Sequence, residues 1–374
     1  MTTYFPTVDA PRPDAADQIS SDQISSDQIS SDRNSDSLDA PLEYHLDAGE
    51  IAELRAAASQ LGDAHGAPDL PGFYDRAQAA EELLPAGLRN LLLSYRRTER
   101  AAACLVHGFP VDDALLGPTP EHWREAIQSK AARDQELWLA LCGMVLGDPF
   151  GWVTLQEGRI IQNILPIRGD EERQSGYGSE SLLEFHTEDG FHPNRCDYLL
   201  LLGLRNPDRV PTIVASVRDI RLSDDDRAVL AEDRFNIMPD TEHMRQLETQ
   251  APGHPALVKL YEMQRRPAPT AVLFGDRLNP YLRIDRPFMD VLPGDAEAEG
   301  ALDRLMAELQ RVQQDIAVGP GSLLLVDNYR AVHGRRPFTA RYDGTDRWLK
   351  KLTVSRNLRR NFSGYALDSH RVIV

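Results

Sequence analysis

Two apolar rhythms run along the chain behind a polar opening. Residues 1–42 carry three copies of DQISS, at 17–21, 22–26 and 27–31, set among Pro, Asp and Ser. Such a composition buries too little apolar area to offset the entropy of ordering, so it reads as a disordered tail. From about residue 43 the pattern changes. In DAGEIAELRAAASQL, Ile51, Leu54 and the alanines recur at helical spacing behind Asp47, a candidate cap. A second helix is expected across 120–146, from TPEHWREAIQ to LWLALCGMVLG, and a third from about 295 to 317. In the third, Leu302, Leu305, Met306, Leu309, Val312 and Ile316 form one stripe before GPG.

Between the helices lie short apolar runs of strand type: RIIQNILPI at 159–167, SLLEF at 181–185, DYLLLLGL at 197–204 and TIVAS at 212–216. TAVLF at 270–274, SLLLVD at 322–327 and WLKKLTV at 348–354 complete the set. Their irregular spacing fits a sandwich or barrel better than βαβ alternation. The expected fold class is therefore mainly β with flanking helices, one domain over 43–374. The polar, helix-prone stretch at about 220–266 reads as an insertion or lid.

Composition narrows the function. The 374 residues are 41% hydrophobic and 26% charged, with a formal net charge of −17. That charge argues against a nucleic-acid partner, which needs a basic face, and suits a small cationic or zwitterionic ligand. Cys104, Cys142 and Cys196 lie far apart without CxxC spacing, so neither a disulfide framework nor a thiolate zinc site is indicated. No apolar run approaches membrane-spanning length and the amino terminus lacks a signal pattern, so a cytoplasmic protein without a membrane partner is expected. Nothing in the sequence sets an oligomeric state.

The chemistry concentrates in LLEFHTEDGFHP, residues 182–193. In an extended strand, residues two apart share a face, so His186 and Glu188 would converge on one point, as two ligands of a metal. A third candidate is His333 in VDNYRAVHGRR, which follows the apolar run SLLLVD. Two imidazoles and a carboxylate on one face of a metal leave positions open for a 2-oxo acid and dioxygen, as in non-haem Fe(II) oxygenases. Arg347 stands fourteen residues beyond His333 at the head of WLKKLTV, placed to pair with the distal carboxylate of 2-oxoglutarate. The same donors would suit a zinc hydrolase, but that leaves Arg347 unexplained. HxE alone is a weak signal. The other histidines, His45, His65, His107, His122, His243, His254 and His370, are read as surface or core residues without convergent partners, and His192, close to the triad but following Gly190 and Phe191, is read as pointing elsewhere.

HTEDGFHPNRCDYLLLLGLRNPD, VDNYRAVHGRRPFTARYDGTDRWLKKLTVSRNL and the upstream HGFPVDDALLGPTPEHWREA together resemble the clavaminate synthase-like Fe(II)/2-oxoglutarate oxygenases. The nearest branch holds the viomycin-pathway arginine β-hydroxylase and the asparagine oxygenases of peptide-antibiotic pathways, and the resemblance covers about residues 45–360. It implies a distorted double-stranded β-helix (jelly-roll, cupin-like) core, iron on His186, Glu188 and His333, and 2-oxoglutarate on Arg347 helped by Thr212. It also implies coupling of co-substrate decarboxylation to hydroxylation of an unactivated carbon. Glu188 favours hydroxylation, because related halogenases put a small residue there.

For the substrate, the resemblance points to Asp240 in NIMPD and Asp285 in YLRID as partners of a basic side chain, with Glu188 beside the substrate as well. Three positions depart from the arginine hydroxylases. Pro287 stands where a second acidic residue is expected. Lys351 replaces an Arg that would clamp the α-carboxylate. Leu155 occupies the place of an amide, for which Gln156 or Gln174 could substitute. Asp285 could instead pair with Arg283 or Arg286, and Asp240 could simply cap a helix. The expected activity is hydroxylation of the β or γ carbon of a free L-amino acid, arginine, lysine or citrulline first, in natural-product biosynthesis. The alternatives are the same reaction on an amino acid held by a carrier protein, and a cupin-like binding protein without turnover.

Overall fold

YLLLLGLR, the most apolar run, becomes the Tyr198–Arg205 strand, buried at every position because both of its faces are covered. The computed structural model describes residues 39–62, 64–361, 365–366 and 369–374, and the DQISS repeats lie outside them. Tyr198–Arg205 sits inside a large sheet ordered Leu42–His45, Ala103–His107, Ser322–Asp327, Tyr198–Arg205, Trp348–Ser355, Asp148–Trp152 and Ser369–Ile373. Ile161–Ile164 also pairs with Trp348–Ser355. A smaller antiparallel sheet runs Gln314–Ile316, Thr212–Ser216, Ala331–Arg335 and Leu183–His186.

Strand periodicity decides what each face meets. Leu199, Leu201, Leu324, Val326 and Leu349 of the large sheet pack against Val214, Ile316 and Ala331 of the small one. Their neighbours Leu200, Leu202, Leu323, Leu325, Leu352 and Val354 turn outward, under the Ala48–Leu61, Ala86–Thr98 and Arg133–Leu146 helices. On the far side of the small sheet, Ile213, Ala215 and Val332 pack on Ala301, Leu302 and Leu305 of the Ala296–Val312 helix. The result is two β-sheets pressed together and flanked by helices. No helix among the described residues is long and apolar enough to cross a membrane.

The helix expected behind Asp47 spans Ala48–Leu61, held by a reciprocal cap in which Asp47 accepts from Glu50 N and Glu50 from Asp47 N. The helix expected over 120–146 is instead two, Trp123–Ala126 and Arg133–Leu146. His122 and Ser129 side chains bond backbone amides two residues on, which closes turns where the helix would continue. The third expected helix ends at Val312, and Ile316 belongs to a strand paired with Thr212–Ser216. Sheet pairing there overrides the helical stripe. The 220–266 stretch holds three helices, Asp224–Leu230, Thr241–Gln250 and Pro255–Arg265, and a short strand.

Residues 39–42, counted with the tail from the sequence, are ordered. Asp39 is buried, bonded to Arg330 at 2.6 Å and to the Ser216 hydroxyl, and Leu42–His45 is already a strand of the large sheet. Replacing Asp39 with alanine leaves the buried Arg330 guanidinium without its carboxylate and should cost about 3–5 kcal/mol, read by chemical denaturation.

Candidate metal centre and its cavity

His186 and His333 meet across the small sheet. The Leu183–His186 and Ala331–Arg335 strands pair antiparallel with these two residues in direct register, and their rings lie 4.1 Å apart between centroids. His333 Nε2 stands 3.3 Å from Glu188 Oε2, and one donor atom from each of the three residues falls within 4.8 Å of the others. The Glu184 carbonyl, 2.8 Å from His186 Nδ1, can only accept, so that nitrogen carries the proton and Nε2 keeps its lone pair. Burial, reinforced by His333, pushes His186 down to about 4, so the imidazole is neutral at physiological pH. Burial alone would push the Glu188 carboxyl up, but Lys351 and His333 outweigh it and hold it well below its ordinary value. Two imidazoles and an ionised carboxylate, converging with Glu188 and His333 buried and His186 half-buried, fit a divalent transition metal.

His186 and Glu188 do converge, but not as two residues of one strand. The strand stops at His186, and Glu188 sits in the following turn, where Asp189 takes a left-handed φ of 53° and Gly190 N bonds the Thr187 carbonyl. Asn328 holds Glu188 in place, accepting from its amide at 2.7 Å and donating to its carbonyl at 3.0 Å. His333 likewise lies within its own strand rather than at the end of SLLLVD, and Asn328 occupies the turn between the two. Asn328 is thus a positioning residue that reading side-chain spacing alone passes over.

A cavity opens onto the three donors. Arg347, Leu349 and Lys351 all line it, at the strand period of two, while Lys350 between them points away to bond Glu136 at 2.7 Å. Arg347 is buried, lies 3.5 Å from the Thr212 hydroxyl, and has no carboxylate partner among the described residues; its Nε bonds nothing. Burial, then the neighbouring Arg335, pulls its guanidinium down to about 9. Arg335 lines the same cavity, anchored on the Gly178 and Ser181 carbonyls. It stands two residues after His333, so the period that suggested His186 and Glu188 would have suggested it too.

The cavity also collects carboxylates. Asp285, brought beside His186 by an isolated bridge, is buried and lines it. Arg283 is committed to the Gly190 and Phe191 carbonyls and no ion pair joins Asp285 to Arg286 among the described residues, so the surface-pair reading does not hold. Burial, then Asp240, Asp189 and Glu188, raises the Asp285 carboxyl well above its ordinary value. Asp240 caps the Thr241–Gln250 helix through Glu242 N and also lines the cavity. Burial pushes it up to about 6.

The remaining candidates divide. Lys351 lines the cavity but donates to Glu188 at 2.6 Å. Leu155 and Pro287 line it too. Gln174 reaches it with its amide spent on the Leu182 carbonyl and Glu184 amide. Gln156 is not in the wall, because its amide braces Asn163 and Tyr177. Gln162, opposite Lys351 in register, supplies an amide in the wall that sequence alignment by spacing does not find.

His243 is also more than a core residue. Asp189 accepts from its Nε2 at 3.0 Å and from Trp152 Nε1 at 2.6 Å, so His243 Nδ1 accepts from the Thr154 hydroxyl. This ties the Thr241–Gln250 helix to the turn that carries Glu188. His192 packs edge-on against Trp152, outside the cavity wall.

Comparison with known proteins agrees with this geometry. Residues 157–353 match the model of the taurine catabolism dioxygenase TauD, TfdA family. The enduracididine beta-hydroxylase of Streptomyces hygroscopicus is 39% identical over 89% of this chain and 99% of its own length. The L-ornithine/L-arginine 3-hydroxylase of Catenulispora acidiphila is 39% identical over 85% of this chain and 96% of its own. The crystal structure of the non-heme iron oxygenase OrfP with Fe, succinate and (3S)-hydroxy-L-Arg superposes with a TM-score of 0.83 at 36% identity, covering 89% of this chain and 99% of that one. With its two imidazoles and one carboxylate inside the matched segment, the chain belongs to the TauD/TfdA family of dioxygenases.

Proposed function

We propose that this chain catalyses Fe(II)- and 2-oxoglutarate-dependent hydroxylation of the β or γ carbon of a free L-amino acid with a basic side chain, on a distorted double-stranded β-helix. One observation carries the reading. A single cavity holds two guanidinium groups, the buried Arg335 and Arg347, without a carboxylate partner, and two carboxylates, the half-buried Asp240 and the buried Asp285, without a cationic one, among the described residues. Unpaired buried charges cost several kcal/mol each, about the penalty that ligands of opposite charge would relieve. A dicarboxylate co-substrate and a cationic amino acid are that pair of ligands.

His186, Glu188 and His333 would hold iron, which with 2-oxoglutarate and dioxygen supplies the oxidising chemistry. Arg347, with Thr212 and Arg335 beside it, fixes the distal carboxylate of the co-substrate. Asp285 and Asp240 take the guanidinium, ammonium or ureido end of the substrate, and Lys351 supplies positive charge for its α-carboxylate from beside Glu188. Gln162 is better placed than Gln156 or Gln174 to meet the α-amino end. The 220–266 stretch, which brings Asp240 to the wall, serves as the lid. The relatives named for enduracididine and for ornithine or arginine hydroxylation support a basic side chain, and OrfP, which holds a free hydroxyarginine, supports a free amino acid over a carrier-bound one.

The test is an anaerobically iron-loaded assay with 2-oxoglutarate and a panel of free L-amino acids, released with oxygen and read by mass. Succinate together with a singly hydroxylated arginine, ornithine, lysine, citrulline or enduracididine is expected. Succinate alone would move the substrate to a carrier protein, and no succinate with any amino acid would overturn the reading.

The acidic wall also sets a pH dependence. Asp240, pushed up to about 6, loses its charge below that pH, and with it the attraction for a cation. The Michaelis constant for the basic amino acid should therefore rise as pH falls through about 6, and Asp240→Asn should flatten that limb. In the free protein the sign reverses. A raised carboxyl binds more protons folded than unfolded between its ordinary value of 3.8 and about 6, so its contribution to stability falls as pH climbs through that window.

A further inference from the structure

A second cluster of ligating side chains stands at the edge of the large sheet, away from the cavity. The Leu42–His45 strand runs parallel to Ala103–His107 with His45 directly beside His107. Glu43 lies two residues before His45 and so shares its face. The imidazole rings are stacked, 4.6 Å between centroids and 16° between planes. Glu43 Oε2 is 3.9 Å from His45 Nε2, and His107 Nδ1 is 3.2 Å from the Ser322 hydroxyl, which steadies that ring and leaves its Nε2 uncommitted. One donor atom from each of the three residues lies within 4.8 Å of the others.

We propose that Glu43, His45 and His107 form a second, surface metal site for a borderline divalent ion of the zinc class. The donors already converge, and two imidazoles with one carboxylate are a zinc donor set. The half-exposed flank leaves the remaining coordination to water. This differs from the catalytic centre in its setting, because none of the three side chains lines a cavity among the described residues. Leu42–His45 is the outermost strand, held by one neighbour, so an ion shared between His45 and His107 ties the start of the domain to the sheet. A ligand that binds only the folded state stabilises it by mass action. Because the donor set repeats that of the catalytic centre, total metal content overcounts the active sites in any loading experiment.

The decisive measurement uses the full-length, tag-free, chelator-treated protein, dialysed against a small excess of Zn(II) and analysed for metal per chain. Two equivalents are expected for the wild type. One is expected for Glu43→Gln/His45→Ala, whose changes lie on exposed side chains, and one for His186→Ala/His333→Ala. Zn(II) should also raise the melting midpoint of His186→Ala/His333→Ala, and adding Glu43→Gln/His45→Ala to that variant should erase the rise. A single equivalent in the wild type, or two retained by Glu43→Gln/His45→Ala, would overturn the proposal without touching the catalytic assignment.

Discussion

Replacing His186 with alanine is expected to abolish iron retention and turnover together. The side chain is half-buried, neutral and oriented by the Glu184 carbonyl, so its Nε2 is ready-made for coordination and no neighbouring imidazole can swing into its place. His192 is turned to Trp152, and His243 is engaged at both nitrogens by Asp189 and Thr154. Disturbing an outer partner of a metal ligand already costs about 10–100-fold in affinity, so loss of a ligand should exceed that. Anaerobic iron titration of His186→Ala, with circular dichroism to confirm folding, checks it. Full activity in the variant would remove the triad assignment. Asn328→Ala, which frees the Glu188 backbone at both ends, should fall in the milder range.

Replacing Arg347 with alanine should raise the Michaelis constant for 2-oxoglutarate by two to three orders of magnitude and leave that for the amino acid within a few-fold. Truncating one partner of a buried, hydrogen-bonded charge pair costs about 2–5 kcal/mol, which spans this range. Arg347→Lys should recover only part of the loss, since an ammonium cannot make two parallel bonds to a carboxylate. Arg335 remains in the wall, which is why some binding should survive. Steady-state kinetics with each substrate varied in turn separates the two effects. Equal increases for both would place Arg347 outside the co-substrate site.

Much of the architecture was legible because strand and helix periods act locally. The Thr212–Ser216 and Ser322–Asp327 strands match their apolar runs residue for residue, and Ala48–Leu61 starts behind the expected cap. Local pattern failed where a distant partner decided the outcome. Ile316 completes a helical stripe on paper but pairs with Thr212 in the small sheet. Asp39 reads as tail and is held by Arg330, 291 positions away. His107 and His243 show no partner along the chain, and each meets one only when strands or helices far apart in sequence are brought together.

The site divides in the same way. By itself the sequence determined which chemistry was available: HxE, a later His, a following Arg and two acidic motifs, together with the face-sharing of Arg347, Leu349 and Lys351, because side-chain alternation is a property of any extended strand. Only the tertiary structure decided that Glu188 converges from a turn clamped by Asn328 rather than from a strand, and that Gln156 is spent on bracing while Gln162 faces the cavity. It also decided that Asp240 and Asp285 line the cavity without a cationic partner among the described residues. The reason is physical: whether a polar group is satisfied or kept for a ligand depends on every donor and acceptor within about 3 Å of it, and most of those arrive from remote parts of the chain.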